Sequence, residues 1–236
     1  FISISWDEAE KIVSNELNRV KNKFGNASIF GGSYGWASAG RFHHAQSQLH
    51  RFLNCIGGYT RSKFTYSFAA AEAMVPHILG SYRAYLDTCT SWDSIEENTE
   101  LFICFGGVPL KNGQIAQGGT GSHNQKEKLI RSANAGIKFI NFSPLKSDLL
   151  DEVNGEWLAL RPNTDVAIML GLAYTLYKEK LYDDKFIEKY TEGFDTFLPY
   201  LKGDIDGIVK DANWASSISE IPSEKITSLA KEMSSK

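Results

Sequence analysis

Three side chains in the N-terminal third could form a site that binds an oxygen atom of a ligand. Tyr34 supplies an O–H donor and Trp36 an indole N–H donor, both within the glycine-rich segment 31–36, and Ser67 follows Trp36 by 31 positions. Neutral donors of this kind bind a partly negative oxygen atom without themselves changing charge. Such a site acts by positioning and preorganised polarity rather than by acid–base catalysis.

Ser67 lies just before a predicted helix at 69–79. The positive end of the helix macrodipole favours a deprotonated oxygen at this position. The alanines that open the helix, 69–71, would let a bulky ligand approach closely. A serine at such a junction is equally typical of a helix N-cap, so the position alone leaves both interpretations open.

A strand–helix–strand pattern follows in the middle of the chain. The continuous apolar run 101–105 ends at paired glycines, as expected of a parallel strand that is covered on both faces. A helix is predicted at 124–134 and a second strand at 138–142. This is a βαβ unit, and it predicts an α/β fold with a parallel-sheet, three-layer, Rossmann-like architecture.

The other predicted elements complete two portions of the chain, 1–97 and 98–236, which we assign to two domains. The first portion has a helix that Ser5 caps and that extends to about Lys23. The remaining predictions are a short buried strand at 27–30 and helices at 41–54, 91–97, 165–180, 183–190, 194–201 and 223–233. The glycine-rich loop 112–123 is long for a connection of this type, which is typical of a functional or disordered segment.

Composition excludes several classes of function. The net charge of −3 gives no reason to expect a nucleic acid or an anionic membrane as a partner. No apolar run approaches the ~18 residues of a membrane span. The three cysteines form no CxxC pair, which argues against a zinc or iron–sulfur site within the chain. His43 and His50 would share a helical face, but no carboxylate or cysteine completes a zinc-binding set.

The two N-terminal segments together resemble the active-site pattern of the molybdopterin oxidoreductases that reduce S-oxides and N-oxides. Segment 33–41 resembles the Tyr-Gly-Trp segment, in which the tyrosine and the tryptophan face the metal. Segment 66–70, with 75–77, resembles the segment whose serine binds molybdenum. The resemblance implies that Tyr34, Trp36 and Ser67 are catalytic and that Ser67 is a molybdenum ligand. It indicates the branch that reduces dimethyl sulfoxide, trimethylamine N-oxide or biotin sulfoxide.

Three further segments, 106–112, 143–144 and 160–167, resemble the parts of this family that contact a pterin guanine dinucleotide. The chain departs from the family pattern at Ala37, where lysine is frequent, and at Val108 and Ser143, where an acidic or amide residue is frequent. The cofactor-binding residues that the resemblance implies are Ser33, Gly106, Pro109, Lys111, Asn112, Ser143, Pro144, Arg161, Pro162, Thr164 and Asp165.

The resemblance also implies a whole enzyme of which this chain is a central fragment. Residues 1–97 would belong to a metal-facing domain and 98–236 to an incomplete nucleotide-contacting domain. The enzyme would hold molybdenum with two molybdopterin guanine dinucleotides, transfer oxygen from an S-oxide or N-oxide to Mo(IV), and accept electrons from a donor such as a cytochrome. The isolated fragment, without the remaining domains of the parent chain, would be inactive. Many relatives are periplasmic, whereas biotin sulfoxide reductases are cytoplasmic.

Two other functions remain open from the residues alone. A nicotinamide-dependent dehydrogenase would also use a parallel sheet, but the expected Gly-x-Gly-x-x-Gly turn and its following acidic residue are missing. A non-catalytic interaction module could share the fold, although the retained metal-facing residues disfavour it. Individual roles are open as well. Arg161 could bind a phosphate or form a surface ion pair, and Asp165 could bind a guanine edge or favour the helix N-terminus.

Overall fold

The computed structural model describes residues 1–33, 43–113 and 122–235, with the side chains of Tyr85 and Asp87 left aside. The chain divides into two compact units. The first holds the described residues of 1–89 together with Ser122, and the second holds the described residues of 90–113 and 123–235.

The first unit is helical. The predicted cap of its opening helix is present, because Ser5 Oγ accepts a hydrogen bond of 3.3 Å from the Glu8 N–H. The predicted strand at 27–30 is wrong: Asn26–Ser28 form a 3-10 turn, and Phe30 makes only one parallel bridge, with Thr60. The helices are α1 (Trp6–Phe24), α2 (Ala45–Cys55), α3 (Ala69–Leu79) and α4 (Tyr82–Asp87).

Few apolar side chains are buried within the first unit. Among its described residues only Ile29 and Leu53 are buried hydrophobic residues, while large apolar side chains such as Trp6, Met74 and Ile78 are exposed. Burial of apolar area is the dominant favourable term in folding. The first unit therefore draws little stability from its own core.

The second unit contains the sheet. Its elements are α5 (Trp92–Asn98), β1 (Leu101–Phe105), α6 (Leu110–Gly113), α7 (Gln125–Asn134), β2 (Lys138–Phe142), β3 (Glu156–Leu158), α8 (Asp165–Lys178), α9 (Asp184–Tyr190), α10 (Phe194–Leu201), α11 (Ala212–Ser219) and α12 (Ser223–Ser234). The strands lie in the order β1-β2-β3 and all pairs are parallel. The predicted β1 and β2 are confirmed with the same bounds. We did not predict β3, because three residues show no usable pattern.

Helices cover both faces of the sheet, which confirms the three-layer α/β architecture. On one face, Ile140 and Phe142 of β2 join a buried cluster with residues of α8, α11 and α12, among them Ile168. On the other face, Phe139 joins Leu129 of α7 in a second buried cluster. Alternate side chains of one strand therefore enter two separate cores.

Asn141, in the middle of β2, departs from this apolar pattern. Its side chain is 1% exposed, and neither its amide nitrogen nor its amide oxygen has a hydrogen-bond partner among the described residues. An unpaired buried polar group is destabilising by about 1–3 kcal/mol. We therefore expect Asn141→Leu to raise the free energy of unfolding by roughly that amount, measured by urea titration.

Ser132 provides the matched control, because it is equally buried but its hydroxyl donates to the Lys128 carbonyl at 2.9 Å. Ser132→Ala should lower the free energy of unfolding by about 1 kcal/mol. A loss of stability in Asn141→Leu would contradict the prediction and would show that the amide is paired with bound water in solution.

Candidate functional site

Ser67 lies in the turn that leads into α3. Its backbone N–H donates to Thr65 Oγ1 at 3.0 Å, and the Thr65 N–H donates to a carboxylate oxygen of Glu72 in α3 at 3.1 Å. The turn is thus tied to the first turn of the helix. Phe68, not Ser67, occupies the N-cap position, and its side chain makes no capping hydrogen bond. The Ser67 side chain is exposed, as a ligand-binding hydroxyl requires.

Tyr34 and Trp36 lie outside the described residues, so their predicted proximity to Ser67 stays a prediction. Ser33 is described, and its carbonyl oxygen accepts a hydrogen bond of 2.8 Å from the Gln46 side chain in α2. Gly31 passes close to the same helix, because a Cβ at this position would lie 2.2 Å from a methyl carbon of Leu53. The segment that leads to Tyr34 is therefore attached to α2.

In the second unit, the loops that follow β1 and β2 are joined at the carboxyl edge of the sheet. The Gly106 N–H donates to the Phe142 carbonyl at 2.8 Å, and the Val108 N–H donates to the Asp148 carbonyl at 2.7 Å. Gly107 has a φ of 74°, and a Cβ there would lie 2.4 Å from the Asp148 carbonyl oxygen. Only glycine permits this conformation and this contact together.

A hollow of about 240 Å³ lies where these loops meet. Lys111, at the start of α6, is largely exposed, and its ammonium nitrogen lies 4.0 Å from a carboxylate oxygen of Asp148. The Asn112 N–H donates to the Pro109 carbonyl at 3.1 Å, which closes the turn. The residues lining the hollow are Pro109, Leu110, Lys111, Ser147, Asp148 and Leu150.

Ser143 follows β2, as predicted, but its hydroxyl is enclosed. The residue is 0% exposed. Its hydroxyl donates to Asp148 at 2.6 Å and accepts from the Leu145 N–H at 3.2 Å. Its carbonyl accepts from the Trp157 indole at 2.8 Å, whereas the neighbouring Pro144 is exposed. The group that reaches the hollow from this loop is the carboxylate of Asp148, which sequence reasoning missed.

The segment after β3 ends at the N-terminus of α8, on the same edge of the sheet. Asp165 is the first residue of α8 and is partly buried. Thr164 precedes it at the N-cap position, but its hydroxyl donates to the Arg161 carbonyl at 2.6 Å and does not cap the helix. The exposed Arg161 guanidinium lies 3.6 Å from the Glu220 carboxylate. Pro162 is exposed in the turn between Arg161 and Thr164.

No side-chain cluster of the kind that holds a metal ion by itself occurs in the described ranges, where no three His, Cys, Asp or Glu residues come together. Burial raises the pKa of the Cys104 thiol to about 11, so this thiol stays protonated at neutral pH and is a poor metal ligand. No helix in the described part of the chain is long and apolar enough to cross a membrane.

The carboxyl ends of three adjacent parallel strands, with a hollow between the loops that follow β1 and β2, define an α/β unit of the Rossmann-like class. The chain belongs to the molybdopterin oxidoreductase family, whose sequence profile matches residues 1–221. This confirms the family that the residue pattern indicated.

The chain is similar to reductases of S-oxides and N-oxides over its whole length. It is 43% identical over 233 residues to a biotin sulfoxide reductase from Cereibacter sphaeroides, covering 99% of this chain and 31% of the relative. It is 40% identical over 236 residues to a dimethyl sulfoxide/trimethylamine N-oxide reductase from Rhodobacter capsulatus, covering 100% of this chain and 28% of the relative. The chain thus spans less than a third of these curated relatives.

Among solved structures, the chain is similar to acetylene hydratase from Pelobacter acetylenicus. The TM-score is 0.58 at 18% sequence identity, with 97% of this chain and 28% of that chain covered. At this identity the likeness concerns the fold alone. It supports the α/β architecture of this chain.

Proposed function

We propose that this chain is part of a molybdenum-dependent reductase of S-oxides or N-oxides, in which it supplies Ser67 to the metal and the loops after β1, β2 and β3 to a guanine nucleotide. The observation that carries this proposal is the similarity, over nearly the entire chain, to relatives whose names specify these substrates. The family implies molybdenum and molybdopterin. The guanine dinucleotide form, and two copies of it, belong to the proposal.

The described residues fit such a cofactor. Ser67 offers an exposed oxygen ligand at a turn that Glu72 holds in place. One oxygen ligand does not retain a metal ion, so the dithiolene groups of the pterins would supply most of the coordination. For the nucleotide, Gly106 leaves space on the carboxyl edge of the sheet, because a Cβ there would meet nothing within 4 Å, and Lys111 brings a cation to the neighbouring hollow.

The reaction consumes two electrons and two protons, and converts the S-oxide or N-oxide to the sulfide or amine with release of water. The cofactor supplies this redox chemistry when bound. The protein binds and orients the oxide: Tyr34 and Trp36, if they lie beside Ser67, donate hydrogen bonds to its oxygen. We propose an external electron donor such as a cytochrome, and a periplasmic location by analogy with many relatives.

The full-length protein tests this proposal directly. We expect one molybdenum per chain by elemental analysis and two guanine nucleotides per chain released by acid. We also expect the protein to oxidise a reduced viologen dye with dimethyl sulfoxide, trimethylamine N-oxide or biotin sulfoxide. A correctly folded protein that carries the metal and both pterins but reduces none of the three oxides would contradict the proposed substrate class.

Molybdenum content and NAD binding separate this proposal from the alternatives. A non-catalytic module would contain no molybdenum, and a nicotinamide-dependent dehydrogenase would bind NAD tightly. No feature of the structure favours the dehydrogenase, since the turn after β1 has the sequence Gly-Gly-Val-Pro-Leu-Lys-Asn.

A further inference from the structure

The loop after β2 contains a carboxylate whose position has a specific chemical meaning. In dinucleotide-binding βαβ units, an acidic side chain near the end of the second strand accepts hydrogen bonds from the ribose hydroxyls. In this chain the residue directly after β2 is Ser143, which is 0% exposed and uses its hydroxyl both as donor and as acceptor. Ser143 therefore has no free group for a ribose.

Asp148, five residues further along the chain, places its carboxylate next to the Ser143 hydroxyl. Its Oδ2 accepts the Ser143 hydroxyl at 2.6 Å, and its side chain is 15% exposed at the hollow between the two loops. Its backbone is held as well, because its carbonyl accepts the Val108 N–H. One carboxylate oxygen is thus held by Ser143 and the backbone by Val108, while the other oxygen, Oδ1, is the one nearer to the Lys111 ammonium that lines the hollow.

The surroundings of Asp148 suit a ribose that is followed by a phosphate. Among the described residues that line the hollow, the only cation is Lys111, whose ammonium nitrogen lies 4.0 Å from Asp148 Oδ1 and whose side chain is largely exposed. A carboxylate accepts from sugar hydroxyls and cannot donate, whereas an ammonium binds phosphate oxygens. The two groups therefore match different parts of one nucleotide.

We propose that Asp148 is the residue that binds the ribose hydroxyls of the guanosine nucleotide, and that Ser143 is a positioning residue that holds the Asp148 carboxylate. This inference rests on the proposed function. It assigns the ribose contact to a residue that lies outside the segment with family resemblance, and it moves the role of Ser143 from direct contact to support.

The test asks whether the ribose hydroxyls of the ligand interact with the Asp148 carboxylate. It uses cofactor-free full-length protein. The probes are guanosine 5′-monophosphate (GMP) and its 2′,3′-dideoxy analogue, with affinities from titration calorimetry. We expect the wild-type protein to prefer GMP by about tenfold, and Asp148→Asn to lose most of this preference by weakening GMP alone. Ser143→Ala should reduce the preference by a smaller factor. A second guanine-nucleotide site would keep its own preference in every variant, so the titrations are fitted to two sites and the prediction concerns the site whose affinity Asp148→Asn changes.

Asp151→Asn is the matched control, because Asp151 is an exposed carboxylate on the same segment that does not line this hollow. It should leave both affinities unchanged. A merely structural role for Asp148 would weaken both probes equally in Asp148→Asn and would overturn the inference. If the wild-type protein and both variants were correctly folded and the wild-type protein bound neither probe, the proposed nucleotide site itself would be wrong.

Discussion

Replacement of Ser67 by alanine is expected to lower the reductase activity of the full-length protein by more than about 100-fold. Removal of a group that only hydrogen-bonds to a metal ligand typically lowers metal affinity or activity about 10–100-fold. Loss of a ligand atom should therefore lower the activity by more than that. The stability of the fold should change little, because the Ser67 side chain is exposed and Phe68, not Ser67, is the N-cap of α3. Activity with a reduced viologen dye, molybdenum content and the optical spectrum of the bound metal should be measured together.

Ser81 offers the matched control in the same unit. Its hydroxyl caps α4 by accepting the Ala84 N–H at 3.1 Å, so Ser81→Ala removes a serine hydroxyl at a helix start without touching the proposed site. It should lower the free energy of unfolding by about 1 kcal/mol and leave the activity unchanged. Normal activity and an unchanged optical spectrum in a fully loaded Ser67→Ala protein would show that Ser67 is not a metal ligand.

Replacement of Lys210 by alanine is expected to lower the free energy of unfolding of the second unit by about 1–3 kcal/mol. The Lys210 side chain is 2% exposed. Its ammonium donates to both carboxylate oxygens of Asp206 at 2.6 and 2.8 Å, to the Ile208 carbonyl at 2.6 Å and to the Tyr200 carbonyl at 3.3 Å. Alanine would leave these acceptors without the buried ammonium that joins them, although the Asp206 carboxylate itself is 34% exposed.

Lys202 in the same loop provides the comparison. It forms an ion pair of similar length with Asp204, 2.7 Å, but its side chain is 39% exposed. Because exposed ion pairs contribute little, Lys202→Ala should change the free energy of unfolding by less than about 1 kcal/mol. Urea titrations of both variants measure the difference. Equal effects of the two substitutions would disprove a special role for the buried ammonium.

The Lys210 interaction also predicts a dependence on pH. The hydrogen bond from Lys210, and secondly that from the Ile208 N–H, lower the pKa of Asp206. A carboxyl whose pKa is lower in the folded state stabilises the fold above its unfolded pKa of about 4 and loses this contribution as the pH falls through the folded value. The difference in stability between wild-type protein and Asp206→Asn should therefore shrink below about pH 4. A difference that stays constant from pH 7 to pH 2 would contradict this.

Local patterns in the sequence determined most of the elements that carry the site. The run of β1 is apolar throughout and ends at glycines, and β2 is rich in Phe and Ile, so their bounds follow from composition and from the residues that flank them. The bounds of α3 follow in the same way from its alanine-rich start and from Gly80 after its last turn. For this reason the sequence alone predicts that Ser67 lies ahead of α3. Its role as a metal ligand stays a prediction.

Tertiary structure alone decided which polar groups face a ligand. Ser143 lies where the strand pattern placed it, yet the return of the chain at Asp148 encloses its hydroxyl and presents a carboxylate instead. Lys210 reads as one more surface charge in a polar loop, and only the carbonyl groups folded around it make it a buried cation. Propensity and periodicity depend on neighbours within a few residues, whereas burial depends on contacts between distant parts of the chain. The sequence by itself therefore determined most of the elements and the family, and packing determined which of their side chains are exposed for a ligand.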